Sequence, residues 1–464
     1  MRYPTIPHLF GSASDPGDVV LSPAQTREFL RGPVTVYEKL DGLNVGLCFT
    51  GRGALRFVSR SHGAVPGARL GPSLWPLLDF AWSHLTQLLP LLGARFALFG
   101  EWLAGPSRLA YPRRDVDFVG FDLFDRVQRR FLPPDVARRR IERSGLPAAQ
   151  VRFTGRVDSV PALLELVPRS RFGGPAEGVV VTGAGGARAK VVREAWARLA
   201  LRSPVPTRPA SLRPPASSGS FTKHFVAARR ADAQLEATVL RALAGTRVAP
   251  RLLQATVDSS GATTLSLSHV PGRRFPRRAA PALAASLGVQ LARLHDTHVA
   301  APPLKGAPAA QVLAAAGKRD LARARRLAGF LAAQGGLGGA LALCHADLKP
   351  ENLRVRGGAV TLLDFERARL ADPAWELACA MDRLDLDAAA RSALLHGYGE
   401  RAPPFAVRVQ CFRRAWDFVL PHAVSALHDE TGRRPSATAL RLADAARARA
   451  AELDRALVAF RRAQ

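Results

Sequence analysis

The sequence has little cysteine and no long hydrophobic run. Its four cysteines, at positions 48, 344, 379 and 411, are far apart, so neither a disulfide framework nor a cysteine metal site is indicated. The N-terminus has no apolar signal-peptide core, and the Leu-rich stretch around 74–92 is interrupted by polar residues and a proline. We therefore expect a cytoplasmic protein with no membrane span, whose cysteines are reduced core residues.

Lysine is also scarce. Only six of the 66 basic residues are lysine, and they stand at positions 39, 190, 223, 305, 318 and 349. Arginine keeps its proton at accessible pH, whereas a lysine amine can be tuned to act as a nucleophile and serves phosphate as a compact point charge. Catalytic chemistry is therefore expected at the few places where lysine persists.

Acidic residues are too few to balance the basic ones. The count is 38 against 66, which gives the 464-residue chain a net charge of +28. A field of this sign attracts polyanions, so nucleic acid is the expected partner, although Arg-rich residue usage alone could also inflate the charge. Hydrophobic residues make up 47% of the chain and charged residues 22%, which is typical of globular proteins. The chain is longer than a domain with one hydrophobic core usually is. Two or three folded domains are expected.

Sequence patterns divide the chain in two. Residues 34–60 alternate strand-like runs with Asp-Gly and Gly-Arg-Gly turn signals and are predicted to form an antiparallel meander. A Pro- and Ser-rich stretch is typical of a linker, and the pattern after it is mainly helical. We predict an α+β protein in which a first domain spans 1–202, a linker spans 203–220 and a second domain spans 221–464.

A first set of motifs begins at Lys39. The run EKLDG (38–42) ends a predicted strand, and a tight turn would aim the lysine amine out of the sheet. Alone, such a run is common in ordinary hairpins. Five further runs follow it in order: SRSHG (59–63), FGEWL (99–103), FVGFDLF (118–124), EGVVV (177–181) and RAKVV (188–192). The series resembles the collinear motifs of the covalent lysine nucleotidyltransferases, and its residues are most similar to those of ATP-dependent RNA ligases.

This resemblance implies an antiparallel-sheet nucleotidyltransferase domain of the RNA-ligase or ATP-grasp-like kind. It implies that Lys39 attacks the α-phosphate of ATP to form lysyl-AMP, that Lys190 contacts that phosphate, and that Glu177 helps to bind Mg²⁺ or Mn²⁺. Its product would be a sealed 3′-OH/5′-phosphate junction in RNA, in a nicked or a broken duplex. The other implied nucleotide-binding residues are Glu38, Asp41, Gly42, Asn44, Arg60, Glu101, Phe121 and Arg188.

A second set of motifs lies in the C-terminal half. The run CHADLKPENL (344–353) is followed by LDFE (363–366) at the spacing that phosphoryl transfer from ATP requires. Asp347 is predicted to accept the proton of a substrate hydroxyl, and Lys349 to lie beside the γ-phosphate. Asn352 and Asp364 are predicted to hold Mg²⁺ on the nucleotide.

Residues 221–420 resemble aminoglycoside phosphotransferases and choline-kinase-like enzymes, which implies a two-lobed, mainly helical, protein-kinase-like domain. Lys223 is then the expected strand lysine that holds the nucleotide phosphates, and Glu236 its partner on a helix. Glu376 stands where that family usually has Asp.

The leading functional hypothesis is a bifunctional RNA-repair enzyme, in which the second domain phosphorylates RNA ends and the first seals them. Two alternatives remain open. The second domain is a small-molecule kinase that acts on aminoglycosides, choline or sugars, or both sites are inactive and the chain is a nucleic-acid-binding regulatory protein.

Overall fold

The chain divides into two compact units. Unit 1 comprises Met1–Gly67, Ser83–Val205 and Arg455–Gln464, and unit 2 comprises Ala68–Trp82 and Pro206–Asp454. The computed structural model describes residues 3–15, 17–58, 64–105, 107–109, 111–197, 219–299, 320–399, 405–431 and 437–462. Most of the predicted linker, residues 203–218, lies outside these ranges, so the linker stays a prediction.

Unit 1 is built on two antiparallel sheets. Six strands form one sheet in the order β4-β3-β2-β5-β6-β7, and four form the other in the order β10-β9-β1-β8. The strands are β1 Val34–Lys39, β2 Leu43–Phe49, β3 Leu55–Val58, β4 Val65–Pro66, β5 Phe96–Trp102, β6 Phe118–Asp125, β7 Arg130–Phe131, β8 Val151–Gly155, β9 Gly178–Thr182 and β10 Arg188–Val192.

The predicted meander over 34–60 is wrong at its first connection. β1 pairs with β8 and β9, so hydrogen bonds already occupy both of its edges, and β2 pairs instead with β3 and β5. The Asp-Gly turn therefore carries the chain from one sheet to the other rather than closing a hairpin. Lys39, the last residue of β1, lies at this crossing.

Short helices cover the sheets of unit 1. The first begins with a capping box, in which the Ser22 hydroxyl accepts from the Gln25 amide and the Gln25 side chain accepts from the Ser22 amide. Leu163 of a later helix packs on buried valines of the four-stranded sheet, among them Val36 and Val179. The helices of unit 1 are Pro23–Leu30, Leu85–Leu92, Pro134–Arg143, Val160–Glu165 and Glu194–Ala197.

The N-terminal segment is tied to β10. The Lys190 amide donates to the Pro7 carbonyl at 2.9 Å, and the Leu9 amide donates to the Lys190 carbonyl at 3.0 Å. Residues 7–9 thus satisfy the free edge of the four-stranded sheet. They also fix the backbone of the strand that carries Lys190.

Unit 2 contains three small antiparallel sheets, in the orders β11-β13-β12, β14-β16-β17 and β15-β18. Their strands are β11 Ser220–Phe225, β12 Leu252–Val257, β13 Thr263–Ser268, β14 Arg273–Arg274, β15 Ala342–Cys344, β16 Leu353–Arg356, β17 Ala359–Leu362 and β18 Arg369–Ala371. Its larger helices are Arg230–Ala242, Pro281–His295, Leu321–Gln334, Pro373–Arg383, Ala388–Tyr398 and Phe405–Thr431, and the helices Trp75–Ser83 and Ala437–Arg462 belong to it as far as Trp82 and Asp454. The predicted α+β class is confirmed. None of the described helices is both long and apolar enough to cross a membrane.

The segment Ala68–Trp82 belongs to unit 2 and is held there by a buried carboxylate. Asp79 is 4% exposed and accepts from Arg391 at 2.7 Å, from Arg413 at 2.9 Å and from Gln410 at 3.1 Å. Burial alone would raise the pKa of Asp79, but the two guanidinium groups outweigh burial and lower it. The charge that this segment buries is therefore matched by the helices of unit 2.

All four cysteines are buried free thiols, as expected of reduced core residues.

Candidate active sites

Unit 1 contains a cavity of about 350 Å³ at the crossing between its two sheets. Strands of both sheets supply its walls. The residues predicted from the motifs that line it are Glu38, Lys39, Gly42, Asn44, Glu101, Phe121, Arg188 and Lys190. Arg60 lies outside the described residues, so its predicted contact with the nucleotide stays a prediction.

Lys39 is paired with one buried carboxylate. Because Lys39 is opposite Gly178 in the β1–β9 ladder, Glu177 comes directly beside it, and the Lys39 Nζ lies 2.5 Å from Glu177 Oε1. Burial raises the pKa of Glu177, and the charge of Lys39 opposes that shift. Glu177 Oε2 is buried and has no hydrogen-bond partner among the described residues, which leaves an oxygen that suits a metal ion.

Asp41 and Gly42 shape the crossing. The Asp41 carboxylate accepts from the backbone amides of Arg108 and Leu109 and so holds a loop, rather than facing the lysine amine. A Cβ at Gly42 would lie 2.5 Å from the Trp102 carbonyl oxygen, so only glycine fits there.

Phe121 reaches the cavity through an irregularity in its strand. Phe99 pairs with Asp122 and Gly100 with Gly120, which leaves Phe121 as the extra residue of a bulge. Bulges re-aim side chains. Phe121 lines the cavity and meets the Tyr3 ring edge-on at 5.4 Å between centroids.

Arg188 lines the same cavity, but buried partners hold its guanidinium. Its Nη2 lies 2.6 Å from Asp122 Oδ1, and its Nη1 lies 2.8 Å from the Tyr3 hydroxyl, which itself donates to Asp122 Oδ2. Lys190 lines the same cavity, and its Nζ lies 3.7 Å from a carboxylate oxygen of Asp18. Both basic residues of the last motif therefore face the cavity beside a carboxylate.

The candidate site of unit 2 centres on a second lysine. The Lys223 Nζ lies 2.7 Å from Glu236, 2.5 Å from Asp364 and 3.1 Å from Glu366. Burial alone would lower the pKa of Lys223, but these carboxylates outweigh burial and raise it. Lys223 is thus a permanent cation, suited to binding phosphate rather than to nucleophilic attack.

Asp347 is surrounded by donors. Its Oδ2 accepts from Lys349 at 2.6 Å and from the Asn352 amide at 3.2 Å, and its Oδ1 accepts from Arg383 at 3.1 Å. Burial alone would raise the pKa of Asp347, but Lys349, Arg383 and Arg367 outweigh burial and lower it. The carboxylate is therefore ionised and able to accept a proton.

Glu376 holds the backbone that precedes Asp347. This buried carboxylate accepts from the amides of His345 at 3.1 Å and Ala346 at 2.6 Å, and from His295 Nε2 at 2.8 Å. Ala346 has a φ of +64°, which is unusual for a residue with a Cβ. Glu376 therefore fixes a strained loop that presents the Asp347 carboxylate.

The predicted metal ligands offer suitable oxygens. The Asn352 Nδ2 donates to Asp347, which directs the amide oxygen away from that residue, and Asp364 uses Oδ1 for Lys223. Carboxylate and amide oxygens are the donors that Mg²⁺ prefers. These residues fit a nucleotide-bound Mg²⁺, which would neutralise charge on the transferred phosphate.

Two family models match the chain in sequence order. Residues 32–192 match the RNA ligase family, and residues 216–408 match the phosphotransferase enzyme family. The chain joins an RNA-ligase-like domain to a phosphotransferase-like domain. Both are domains of enzyme families. None of the curated proteins compared with the chain matches it.

Solved structures are similar to the chain at low identity. A choline/ethanolamine kinase family protein from Mesorhizobium loti is 22% identical, with 49% of this chain and 83% of that one covered and a TM-score of 0.38. Choline kinase LicA from Streptococcus pneumoniae is 13% identical, with 59% of this chain and 89% of that one covered and a TM-score of 0.39. Macrolide 2′-phosphotransferase MphH from Brachybacterium faecium is 20% identical, with 58% of this chain and 87% of that one covered and a TM-score of 0.37.

The motif series missed residues that the structure places at both sites. In the ligase-like domain these are Tyr3 and Asp122, which hold Arg188, and His8 and Asp18 near Lys190. The N-terminal ones precede the first motif and follow no helical or strand periodicity. In the phosphotransferase-like domain the sequence reasoning missed Glu366, although it is part of LDFE, and Arg383.

Proposed function

We propose that the ligase-like domain is an ATP-dependent RNA ligase that works through lysyl-AMP. The Lys39 amine attacks the α-phosphorus of ATP, the N–P bond forms, the bond to the β-phosphate oxygen breaks, and pyrophosphate leaves. Glu177 Oε1, 2.5 Å from the amine, accepts the amine's proton. The AMP then passes to an RNA 5′-phosphate, and attack by a 3′-OH releases AMP and seals the strand.

One observation carries this proposal: the only lysine on β1 opens into the cavity beside a buried carboxylate, in a domain that matches RNA ligases. Phe121 offers a ring on which adenine can stack, and Lys190 offers a cation for the α-phosphate. Mg²⁺ bound at Glu177 Oε2 would neutralise charge on the phosphates. The buried free cysteines fit a reducing cytoplasm, where we place the activity.

Strand joining tests the proposal. Oligoribonucleotides with a 3′-OH and a labelled 5′-phosphate, offered as a nicked duplex, a broken duplex and single strands, are incubated with ATP and Mg²⁺. We expect a joined product whose label resists removal by alkaline phosphatase, because the labelled phosphate has become part of the strand. We expect no such product with Lys39→Ala. If Lys39→Ala still joins strands, the lysyl-AMP mechanism at Lys39 is ruled out. If the protein prefers matched DNA ends, RNA is ruled out as the substrate.

We further propose that the phosphotransferase-like domain moves the γ-phosphate of ATP to a 5′-hydroxyl RNA end and so prepares the end that the ligase-like domain seals. The acceptor oxygen forms a bond to the γ-phosphorus, the bond to ADP breaks, and Asp347 takes the hydroxyl proton. The supporting observation is the grouping of Asp347, Asn352, Asp364 and Lys223.

Transfer of label distinguishes the acceptors. With γ-labelled ATP we expect label on 5′-hydroxyl RNA, and its loss with Asp347→Asn. Label on choline, kanamycin or a sugar but not on RNA would establish the small-molecule alternative. The third hypothesis, an inactive nucleic-acid-binding protein, predicts neither this transfer nor strand joining.

A further inference from the structure

Arg383 occupies a position that phosphoryl transfer alone does not explain. It is the last residue of the helix Pro373–Arg383, its side chain is 34% exposed, and it contacts Asp347 Oδ1 at 3.1 Å. Lys349 and Asn352 occupy the other carboxylate oxygen. An acceptor hydroxyl that donates its proton to Asp347 must therefore approach next to a cation, and on the Oδ1 side that cation is Arg383.

We propose that Arg383 binds a phosphate of the acceptor, a polynucleotide end whose hydroxyl is phosphorylated at Asp347. The inference rests on the proposed phosphoryl transfer and names its substrate class. A guanidinium binds phosphate through two parallel hydrogen bonds, so a phosphate can replace the carboxylate without leaving the cation unpaired. Asp347 Oδ1 is then released as the acceptor arrives.

The charges around Asp347 oppose a cationic acceptor. Lys349 and Arg383 contact the carboxylate, and Arg367 adds a further positive charge to its surroundings. An aminoglycoside or a quaternary ammonium compound would place like charge against these groups, which costs binding energy. An acceptor that carries phosphates meets the opposite situation.

A basic segment extends this surface beyond one phosphate. The run RRFPRR (273–278) carries four exposed arginines. It begins on β14, where Arg274 pairs with Arg354, two residues after Asn352, and it ends where the Arg278 amide donates to the Leu384 carbonyl, next to Arg383. The segment therefore runs from the end of the catalytic loop to the helix end that carries Arg383.

Among the residues that the structure describes, most of these arginines have no acidic partner of their own. Arg278 pairs with Asp385 at 3.2 Å, whereas Arg273, Arg274 and Arg277 form no salt bridge within the described part of the chain. Several unpaired cations along an extended run suit successive phosphates of a strand rather than the single phosphate of a metabolite.

Acceptors that differ in charge and in number of phosphates test the proposal in the full-length protein with γ-labelled ATP. We compare a 5′-hydroxyl pentaribonucleotide, adenosine, ribose carrying one phosphate, choline and kanamycin. We expect kcat/KM to be highest for the pentanucleotide and to fall steeply with salt. Higher kcat/KM for adenosine, choline or kanamycin overturns the anionic acceptor, and equal use of the singly phosphorylated sugar overturns the polynucleotide.

Variants then assign the phosphate contact. Arg383→Ala should raise the acceptor KM, lower kcat/KM for the pentanucleotide about 10- to 100-fold, and reduce the salt slope by about one. Arg383→Lys should restore part of this loss, and KM for ATP should change little. Arg251→Ala removes an exposed arginine of the same unit and is the matched control.

Surface variants keep the test independent of folding at Asp347. Arg273→Ala with Arg274→Ala alters only exposed side chains and should also raise the acceptor KM and lower the salt slope. An unchanged acceptor KM in both this variant and Arg383→Ala overturns the proposal. Absence of transfer to every acceptor, in wild type as in Asp347→Asn, would instead remove the proposed phosphoryl transfer itself.

Discussion

The two domains surround their candidate lysines with different numbers of carboxylates. Among the described residues Lys39 meets one carboxylate, Glu177, and opens into a cavity, whereas Lys223 meets three, Glu236, Asp364 and Glu366. The proposed mechanisms assign Lys39 the role of covalent nucleophile and Lys223 that of electrostatic phosphate ligand. Three counter-charges hold the Lys223 ammonium in place, whereas Lys39 faces the cavity beside one carboxylate.

Lysine-to-arginine substitutions should break this comparison most sharply. Lys39→Arg should abolish strand joining, because a guanidinium does not lose its proton and cannot form the phosphoramidate. Lys223→Arg keeps the charge and should retain a measurable fraction of phosphoryl transfer. Both activities are measured on each variant. Equal tolerance of arginine at the two positions would contradict the distinction.

The next largest effect is expected at Asp347, the proposed proton acceptor of the phosphotransferase-like domain. Asp347→Asn removes the proton acceptor and should lower phosphoryl transfer about 10²- to 10⁴-fold, while adenylylation of the ligase-like domain continues. Labelling with γ- and α-labelled ATP in parallel reads the two activities from one preparation. A matching loss of adenylylation would mean that the substitution disturbs the whole chain.

Stability offers a third contrast, between buried and exposed carboxylates. Asp79→Ala leaves the guanidinium groups of Arg391 and Arg413 buried without their partner and should cost about 3–5 kcal/mol of unfolding free energy in unit 2. Asp444→Ala, which removes the partner of Arg447 in an exposed pair, is the control and should have little effect. Denaturant titration followed by hydrogen exchange measures both, and equal costs would contradict the role of Asp79.

The pH dependence of the two activities should also differ, by a smaller amount. The pKa of Glu177 is raised above its ordinary 4.5, so this proton acceptor is lost while the pH is still above that value. The pKa of Asp347 is lowered below its ordinary 3.8, so its charge persists to more acidic pH. On acidification, adenylylation should therefore fall before phosphoryl transfer. Initial rates of both reactions across the acid range check this, and coincident acid limbs would count against it.

Local patterns predicted much of the fold and of both sites. Strand and turn signals predicted the strand that carries Lys39, and the resemblance to phosphotransferases implied the pairing of Lys223 with Glu236, which lie 2.7 Å apart in the structure. These features depend on neighbours close in sequence or on a motif with a fixed spacing. Which sheet a strand joins does not depend on such local neighbours. β1 finds its partners β8 and β9 more than a hundred residues later, so the local Asp-Gly signal alone suggested a hairpin.

Long-range partners account for the other misses. Asp79 lies in a Leu-rich stretch, and its place in unit 2 depends on Arg391 and Arg413, which follow it by more than 300 residues. Tyr3 and Asp122 meet Arg188 across the whole first domain. Nothing in the spacing of these residues indicates the contact, because charge pairing at such separations is decided by tertiary packing.

The most direct test of the central claim is to locate the AMP. Wild-type protein is incubated with α-labelled ATP and Mg²⁺, denatured and digested, and the labelled peptide is sequenced by mass spectrometry, with Lys190→Ala and Lys39→Ala in parallel. We predict one acid-labile AMP adduct on Lys39, reduced in Lys190→Ala and absent in Lys39→Ala. An AMP adduct on another residue, or normal labelling of Lys39→Ala, would contradict the assignment of Lys39 as the nucleophile.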